Sequence, residues 1–358
     1  MKKLLAAGLL LGLALGAAPR LWAGELEPEY RRVVDKGLQW VARNQHRDGH
    51  WEANGGAYPV TMTALGGMCL LMEGSTMREG KYADNIRRAV DWLMSCSQRN
   101  GLISPLANNG RGYTHDHGYA LLFLACVYGE EEDKETRKKL EGILTRAVQF
   151  TGRAQTKRGG WGYVSAAEGG DFDEGSTTVT QLQAIRACRN AGIPVPKSII
   201  DRARKYLQDA TTSRGSILYS LAQGGNEGGP ALVAAAIASG FSAGEYDSPL
   251  VKKWLTYARH AIPLAQAGRF GHDEYTHYYY AQTLYVLGDE GYARLFPNAT
   301  GSERLTWSRY RKVVFPYLAR SQNADGSWNS GNIGAIYTTT VNLTILQLDN
   351  GTLPIYQR

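Results

Sequence analysis

Residues 43–56 read RNQHRDGHWEANGG, in which Gln45, Gly49 and Trp51 follow directly on an apolar helical stretch, Leu38, Trp40 and Val41. Residues 317–331, YLARSQNADGSWNSG, repeat that outline at the same spacing in Gln322, Gly326 and Trp328. Two copies of one turn, at opposite ends of the chain, identify an internal repeat, and a repeat decides the architecture.

With the glutamine as a ruler, Gln45, Gln98, Gln155, Gln266 and Gln322 each follow an apolar helix, at intervals of 53, 57, 111 and 56 residues. The one double interval is filled by ARKYLQDATTSRGSILYS, which keeps the helix and Gly215 but has Thr212 where the glutamine falls. That makes six copies. After each turn comes a second helix richer in small and apolar residues, such as GGPALVAAAIASG, whereas first helices such as SIIDRARKYLQ keep a charged face. A helix apolar all round packs on several sides, and one with a polar stripe faces solvent. The pattern predicts two concentric helical layers.

Six helix pairs can stack into an open solenoid or curl into a ring, and a solenoid needs polar capping repeats at both ends. Here the first and last copies are the most faithful to the pattern. The expected fold is therefore all-α, a closed α/α toroid of six helix hairpins around a central cavity. It runs from about residue 28 to 350, with the C-terminal NGTLPIYQR across the outside. Trp51 and Trp328 then serve as ties between copies, and the glutamine amides satisfy helix-end backbone groups.

The first 23 residues, MKKLLAAGLLLGLALGAAPRLWA, read as a secretory signal with a charged start, an apolar run and a small residue before the cut. Export to the periplasm or beyond is expected, with residues 24–358 as the toroid and no transmembrane segment in the mature chain. Removing Lys2, Lys3 and Arg20 leaves 37 basic against 33 acidic residues, ordinary solubility charge. No basic stripe interleaved with aromatics appears, so nucleic acid is not an expected partner. Cys69, Cys96, Cys126 and Cys188 lie in apolar helical patterns, and an even count in an exported chain permits one or two disulfides.

The stretches GLQWVARNQHRDGHW and FPYLARSQNADGSW resemble the glutamine–tryptophan repeat of the terpenoid cyclase and protein prenyltransferase superfamily. The likeness is specifically to its squalene-cyclase-type repeat and to exported bacterial single-toroid proteins. It implies the toroid, and it raises three chemistries. Squalene-type cyclases protonate an alkene from an Asp-x-Asp-Asp motif, and the counterpart here is GGDFDEG, with Asp171, Asp173 and Glu174 as candidate catalytic acids. Read locally, the same residues are helix N-terminal chemistry ahead of Ser176 and Thr177. Prenyltransferases place zinc on an Asp-Cys-His set whose spacing is absent, so no metal or cofactor is expected. The thioester motif Cys-Gly-Glu-Gln is absent as well.

Polar and aromatic residues near the starts of the second helices gather at one end of such a ring. Tyr58, His115, Asp116, His117, Trp161, His272, Asp273, His277, Tyr278 and Tyr337 are the candidate ligand-binding residues. An aromatic, polar-tipped mouth is a common lining of a ligand site. The leading expectation is a binding toroid holding an apolar small molecule or a peptide in its central cavity, with a protein partner compatible. The alternatives are an acid-initiated isoprenoid cyclase using Asp173 and a carbohydrate-active (α/α) barrel with Asp173 and Asp273 as acid and base.

Overall fold

The computed structural model describes residues 26–105, 112–131, 133–264 and 273–357. Six long outer helices are α1 (Pro28–Arg43), α3 (Ala83–Ser95), α5 (Lys134–Ala154), α8 (Lys197–Ala210), α10 (Pro249–Ala261) and α13 (Trp307–Ser321). They alternate with six inner helices, α2 (Pro59–Met72), α4 (Tyr113–Val127), α7 (Gly175–Asn190), α9 (Gly229–Ser242), α11 (Asp273–Leu287) and α14 (Ala335–Gln347). Two short helices, α6 (Ala166–Gly169) and α12 (Gly291–Leu295), lie in the connections. The outer helices bury one stripe, as in α1 with Val34, Leu38 and Val41. The inner ones bury almost every residue, as in α2 from Val60 to Met72. The two layers expected from composition are present.

Each inner helix packs on the next, α2 on α4, α7, α9, α11 and α14 in turn, and α14 packs back on α2. The ring is closed. Gln322 Nε2 on copy six donates to the carbonyl of Val33 on copy one at 2.9 Å, and Gln347 Nε2 donates to that of Cys69 at 3.1 Å. Trp40 Nε1 reaches Asp325 Oδ2 at 3.1 Å across the same seam. All of these join residues almost a chain length apart, which only closure brings together.

The glutamine–tryptophan turns are the joints. Gln45 Nε2 donates to Gly49 O in its own turn and to Asn85 O on the next outer helix, at 2.8 and 2.9 Å. Gln155 and Gln322 do the same toward Ile199 and Val33. Gly49, at φ +105°, lies so close to the next outer helix that a Cβ would stand 2.3 Å from Arg88 O, and Gly326 meets Lys36 O in the same way. A side chain there would need both a left-handed backbone and space that another carbonyl fills. Trp51 Nε1 donates to Val41 O at 2.8 Å, and Trp51 N donates to Thr63 Oγ1 on the following inner helix at 3.0 Å. Trp328 repeats both bonds with Leu318 O and Thr339 Oγ1.

The C-terminal segment departs from expectation. Instead of crossing the outside, residues 353–357 fold over the C-terminal ends of the inner helices, packing on α7 and α11. Leu353 and Tyr356 are buried there. Asn350 Nδ2 and Thr352 Oγ1 both donate to Met72 O, a helix-end carbonyl that would otherwise face water. The tail is a plug because its apolar side chains are buried against the inner helices at this end of the ring. The four cysteines are free thiols. No helix among the described residues is long and apolar enough to cross a membrane.

Candidate functional site

The axis of the ring is filled rather than hollow where the tyrosines of α4 and α11 meet. These helices belong to opposite copies, and Tyr119 OH and Tyr279 OH are hydrogen-bonded at 3.0 Å across the centre. Tyr275 and Tyr278 each pack edge-on against Tyr279, with ring centroids 4.9 Å apart. Nearer the plugged end, Gln183 Nε2 of α7 donates to Gln282 Oε1 of α11 at 2.7 Å. Burial pushes the Tyr278 hydroxyl up to about 12 and those of Tyr275, Tyr279 and Tyr337 well above their usual range, so all stay neutral. Tyr278 and Tyr337 thus belong to a packed axial core. That contradicts the expected central cavity at this level, because side chains from opposed copies are long enough to touch.

A second cluster, polar and aromatic, lies among the described residues at the inner-helix N-termini. Ser165 and the short helix α6 lie beside Tyr113, whose hydroxyl donates to Glu168 Oε2 at 2.5 Å. His115 Nε2 lies 3.0 Å from Ser176 Oγ, and that hydroxyl donates to Glu174 Oε2. Tyr163 covers His115 at 5.8 Å between ring centroids, packs on Phe172 and hydrogen-bonds the Tyr219 hydroxyl from copy four. Burial holds His115 down at about 4, so it is a neutral ring near pH 7. Tyr58 completes the rim on the α2 side. It is 55% exposed and is the sole non-glycine residue with positive φ among the described residues. A large aromatic side chain held exposed in a left-handed conformation costs roughly 1–3 kcal/mol and calls for a reason other than packing.

The three candidate acids separate. Asp171 is partly exposed, accepting from Lys157 N at 2.7 Å and facing Arg158. Asp173 is fully buried between copies three and four, accepting from Leu221 N at 2.7 Å. It ties one turn to the next and does not line the axis. Glu174 caps α7, accepting from Ser176 N and Thr177 N at 2.9 and 3.0 Å. Burial pushes its carboxyl above the ordinary value, against hydrogen bonds from Ser176 and Thr177 that pull it down. Glu174 alone of the three therefore joins the His115–Ser176 cluster at the mouth.

Several expected ligand-binding residues turn out to be joints. Trp161 is fully buried; its Nε1 donates to Thr151 O at 2.8 Å and its N to Thr178 Oγ1 at 3.1 Å, the bonds of Trp51 and Trp328. It completes Gln155, Gly159 and Trp161, the same spacing as the first turn. His117 takes the place of Thr63, Thr178 and Thr339: it stands on the inner helix and its Nδ1 accepts from Ile103 N at 3.2 Å. Asp116 Oδ1 accepts from Thr61 N and Thr61 Oγ1, capping the neighbouring α2. Asp273 and His277, 3.4 Å apart, face a side cleft of about 170 Å³ between α11, α13 and α14, away from the axis. His272 and Gln266 lie outside the described residues. Asp173 and Asp273 stand on copies separated by α9, so they do not form an acid–base pair. Tyr163 is one of the aromatic residues that the sequence places near the inner-helix starts, whereas Ser176 reads only as helix-start chemistry and Tyr219 is not singled out. Ser176 sits two residues after Glu174 at a helix start, which was a usable signal; Tyr219, in the degenerate fourth turn, offered none.

No protein-family model matches the chain, and no curated protein sequence does. Solved structures with the same fold do exist. The apo type II terpene cyclase MstE from Scytonema is 15% identical with a TM-score of 0.57, over 91% of this chain and 99% of that one. An α-1,6-mannanase of Salegentibacter, in complex with α-1,6-mannotriose, is 8% identical with a TM-score of 0.61, over 90% and 99%. A protein from Actinoplanes is 16% identical with a TM-score of 0.54, over 90% and 99%. Two different chemistries on one ring show that the likeness is one of fold: this chain is an all-helical α/α toroid.

Proposed function

We propose that this chain is an exported binding toroid of the squalene-cyclase-type repeat kind. Its aromatic mouth holds an extended apolar segment, isoprenoid-like or peptidic, without turning it over. The observation that carries the reading is the closed axis: Tyr119 and Tyr279 meet across it and Tyr356 fills its far end, while Tyr58 and Tyr163 stay exposed at the rim. A ligand then lies over the mouth, its apolar face on the aromatic rings and its polar end within reach of Ser176 and His115.

Farnesol titrated into purified protein, followed by tryptophan fluorescence, should bind. Tyr58→Ser and Tyr163→Ser should each weaken binding about tenfold without lowering the melting temperature, the loss matching one desolvated aromatic contact of about 1.4 kcal/mol. Farnesol and an apolar peptide pool both failing to bind would overturn the reading. Mass spectrometry of the secreted form should find an N-terminus near Gly24, and an intact Met1 would count against export.

A second reading is supported by one residue. Glu174 is a buried carboxyl beside Tyr163 and Tyr275, pushed above its ordinary value by burial, and a carboxylic acid near aromatic rings is the equipment of an alkene-protonating cyclase. If that reading holds, squalene or shorter polyprenes should give cyclic products that vanish in Glu174→Gln, and Asp173→Asn should act only through stability.

A further inference from the structure

The first turn carries something that the ties do not use. Four of its side chains, His46, Asp48, His50 and Glu52, gather around the tight turn that Gly49 N closes by donating to His46 O at 3.0 Å. Nε2 of His46 is 3.8 Å from one Glu52 oxygen, and Nε2 of His50 is 3.4 Å from the other. One ligand atom from each of the three lies within 4.8 Å of the others. Asp48 Oδ1 stands 2.6 Å from Nδ1 of His50. The two ring nitrogens of His50 therefore face two carboxylates, Asp48 on Nδ1 and Glu52 on Nε2, and a carboxylate only accepts. A cation between Nε2 and Glu52 satisfies that arrangement while Asp48 holds the proton of Nδ1.

The last turn is the built-in control. It has the same backbone and the same aspartate, but its corresponding residues are Asn323, Asp325, Ser327 and Asn329. There Asn323 Nδ2 donates to Ser327 Oγ at 3.0 Å, and Ser327 Oγ donates to Asp325 Oδ1 at 2.7 Å. This set bonds to itself through amide and hydroxyl donors and offers a cation no imidazole. The first turn replaces that self-satisfied set with two imidazoles and a carboxylate.

We propose that His46, His50 and Glu52 form a binding site for a divalent transition-metal ion, zinc or copper, with Asp48 orienting His50 and solvent filling the remaining coordination. Ligand atoms on a tetrahedral zinc at about 2.0–2.1 Å stand about 3.3 Å apart, so the His50–Glu52 separation already matches a coordination edge, whereas the exposed His46 ring, stacked on His50, must turn to bring Nε2 onto the same ion. The scaffold is stiff. His50 is stacked between His46 and Trp92, with centroids 4.3 and 5.1 Å away, and Gln45, Gly49 and Trp51 fix the backbone on either side. A carboxylate on the far nitrogen of a ligating histidine sets its tautomer and raises its basicity. Two nitrogens and one carboxylate favour zinc, nickel or copper over calcium or magnesium, which prefer all-oxygen shells. The site lies on the rim of copy one, apart from the His115–Ser176 cluster, and is independent of what the mouth binds.

The test is a calorimetric titration of tag-free, chelator-stripped protein with Zn²⁺, with Ca²⁺ as the control. One zinc per chain and no calcium are expected. The variant carrying His46→Asn, His50→Ser and Glu52→Asn copies the last turn, which already folds on this backbone, and should lose at least a hundredfold in zinc affinity while keeping its melting temperature without metal. Asp48→Asn should weaken zinc by about 10–100-fold. Cu²⁺ in the wild type should show two imidazole nitrogens by electron paramagnetic resonance, absent from the triple variant. Failure of the wild type to bind zinc would mean the cluster holds only a proton, and unchanged zinc affinity in the triple variant would place the ion elsewhere; either result overturns the proposal.

Discussion

The first and last turns of this chain have one backbone and two surfaces. On the inside they are interchangeable: a glutamine amide bridging two carbonyls, a glycine against the next helix, and a tryptophan bonded to the helix behind and the threonine ahead. On the outside one presents histidines and a glutamate, and the other asparagines and a serine. The inner residues are fixed by hydrogen bonds to neighbours in two copies at once, whereas the outer ones meet the next helix only at its surface, as His50 does on Trp92 and Asp325 on Trp40. A repeat protein therefore keeps its joints and varies its rims, which is where a site should be sought.

Trp51→Ala and Trp328→Ala should give the largest effects, about 3–5 kcal/mol each in chemical denaturation, because each leaves a cavity and strips a carbonyl of its donor. A much smaller loss at one end would break the equivalence of the two joints. Gln45→Ala and Gln322→Ala should cost less, about 1–3 kcal/mol, the penalty for leaving two carbonyls without their donor. Unequal values would show that the seam between copies six and one is weaker than an ordinary joint.

Copies two and five sharpen the comparison through pH. His117 is held down at about 3 and His277 at about 4, both by burial, against an ordinary value near 6.5. In that window the unfolded chain binds more protons than the folded one, so stability is full above pH 6.5 and falls as the pH drops toward 3–4. His117→Thr, which installs the residue used in copies one, three and six, should flatten this loss in melting temperatures recorded between pH 7 and 4. An unchanged slope would mean that other groups set the acid limb. The smallest effect belongs to the exposed Trp40–Asp325 bond. Trp40→Phe should cost less than about 1 kcal/mol by thermal melting, because water replaces the indole as donor.

Trp161 illustrates what could be read and what was missed. Gln155, Gly159 and Trp161 stand at the same intervals as Gln45, Gly49 and Trp51, so its role as a joint was legible from spacing alone; reading it as a mouth aromatic overlooked that. His117 was harder. Its equivalence to Thr63 follows only once Ile103, an aliphatic residue in the tryptophan's position, is seen donating to it. Asp173 looked like the middle acid of a catalytic motif, but a carboxylate's role depends on what faces it, and Leu221 of the next copy does.

The sequence by itself determined the number of copies, the alternation of outer and inner helices, the closure of the ring and the identity of the joints at its two ends. Each follows from local spacing and from the polarity of one helix at a time. What lies on the axis was decided only by tertiary structure. Inner helices are buried all round, so no polar stripe marks which face turns inward, and the width of the hole depends on whether side chains from opposite copies meet. Tyr119 and Tyr279 do, at 160 residues' separation, and residues 353–357 stop the other end. Those are long-range contacts, which no stretch of the chain carries in itself.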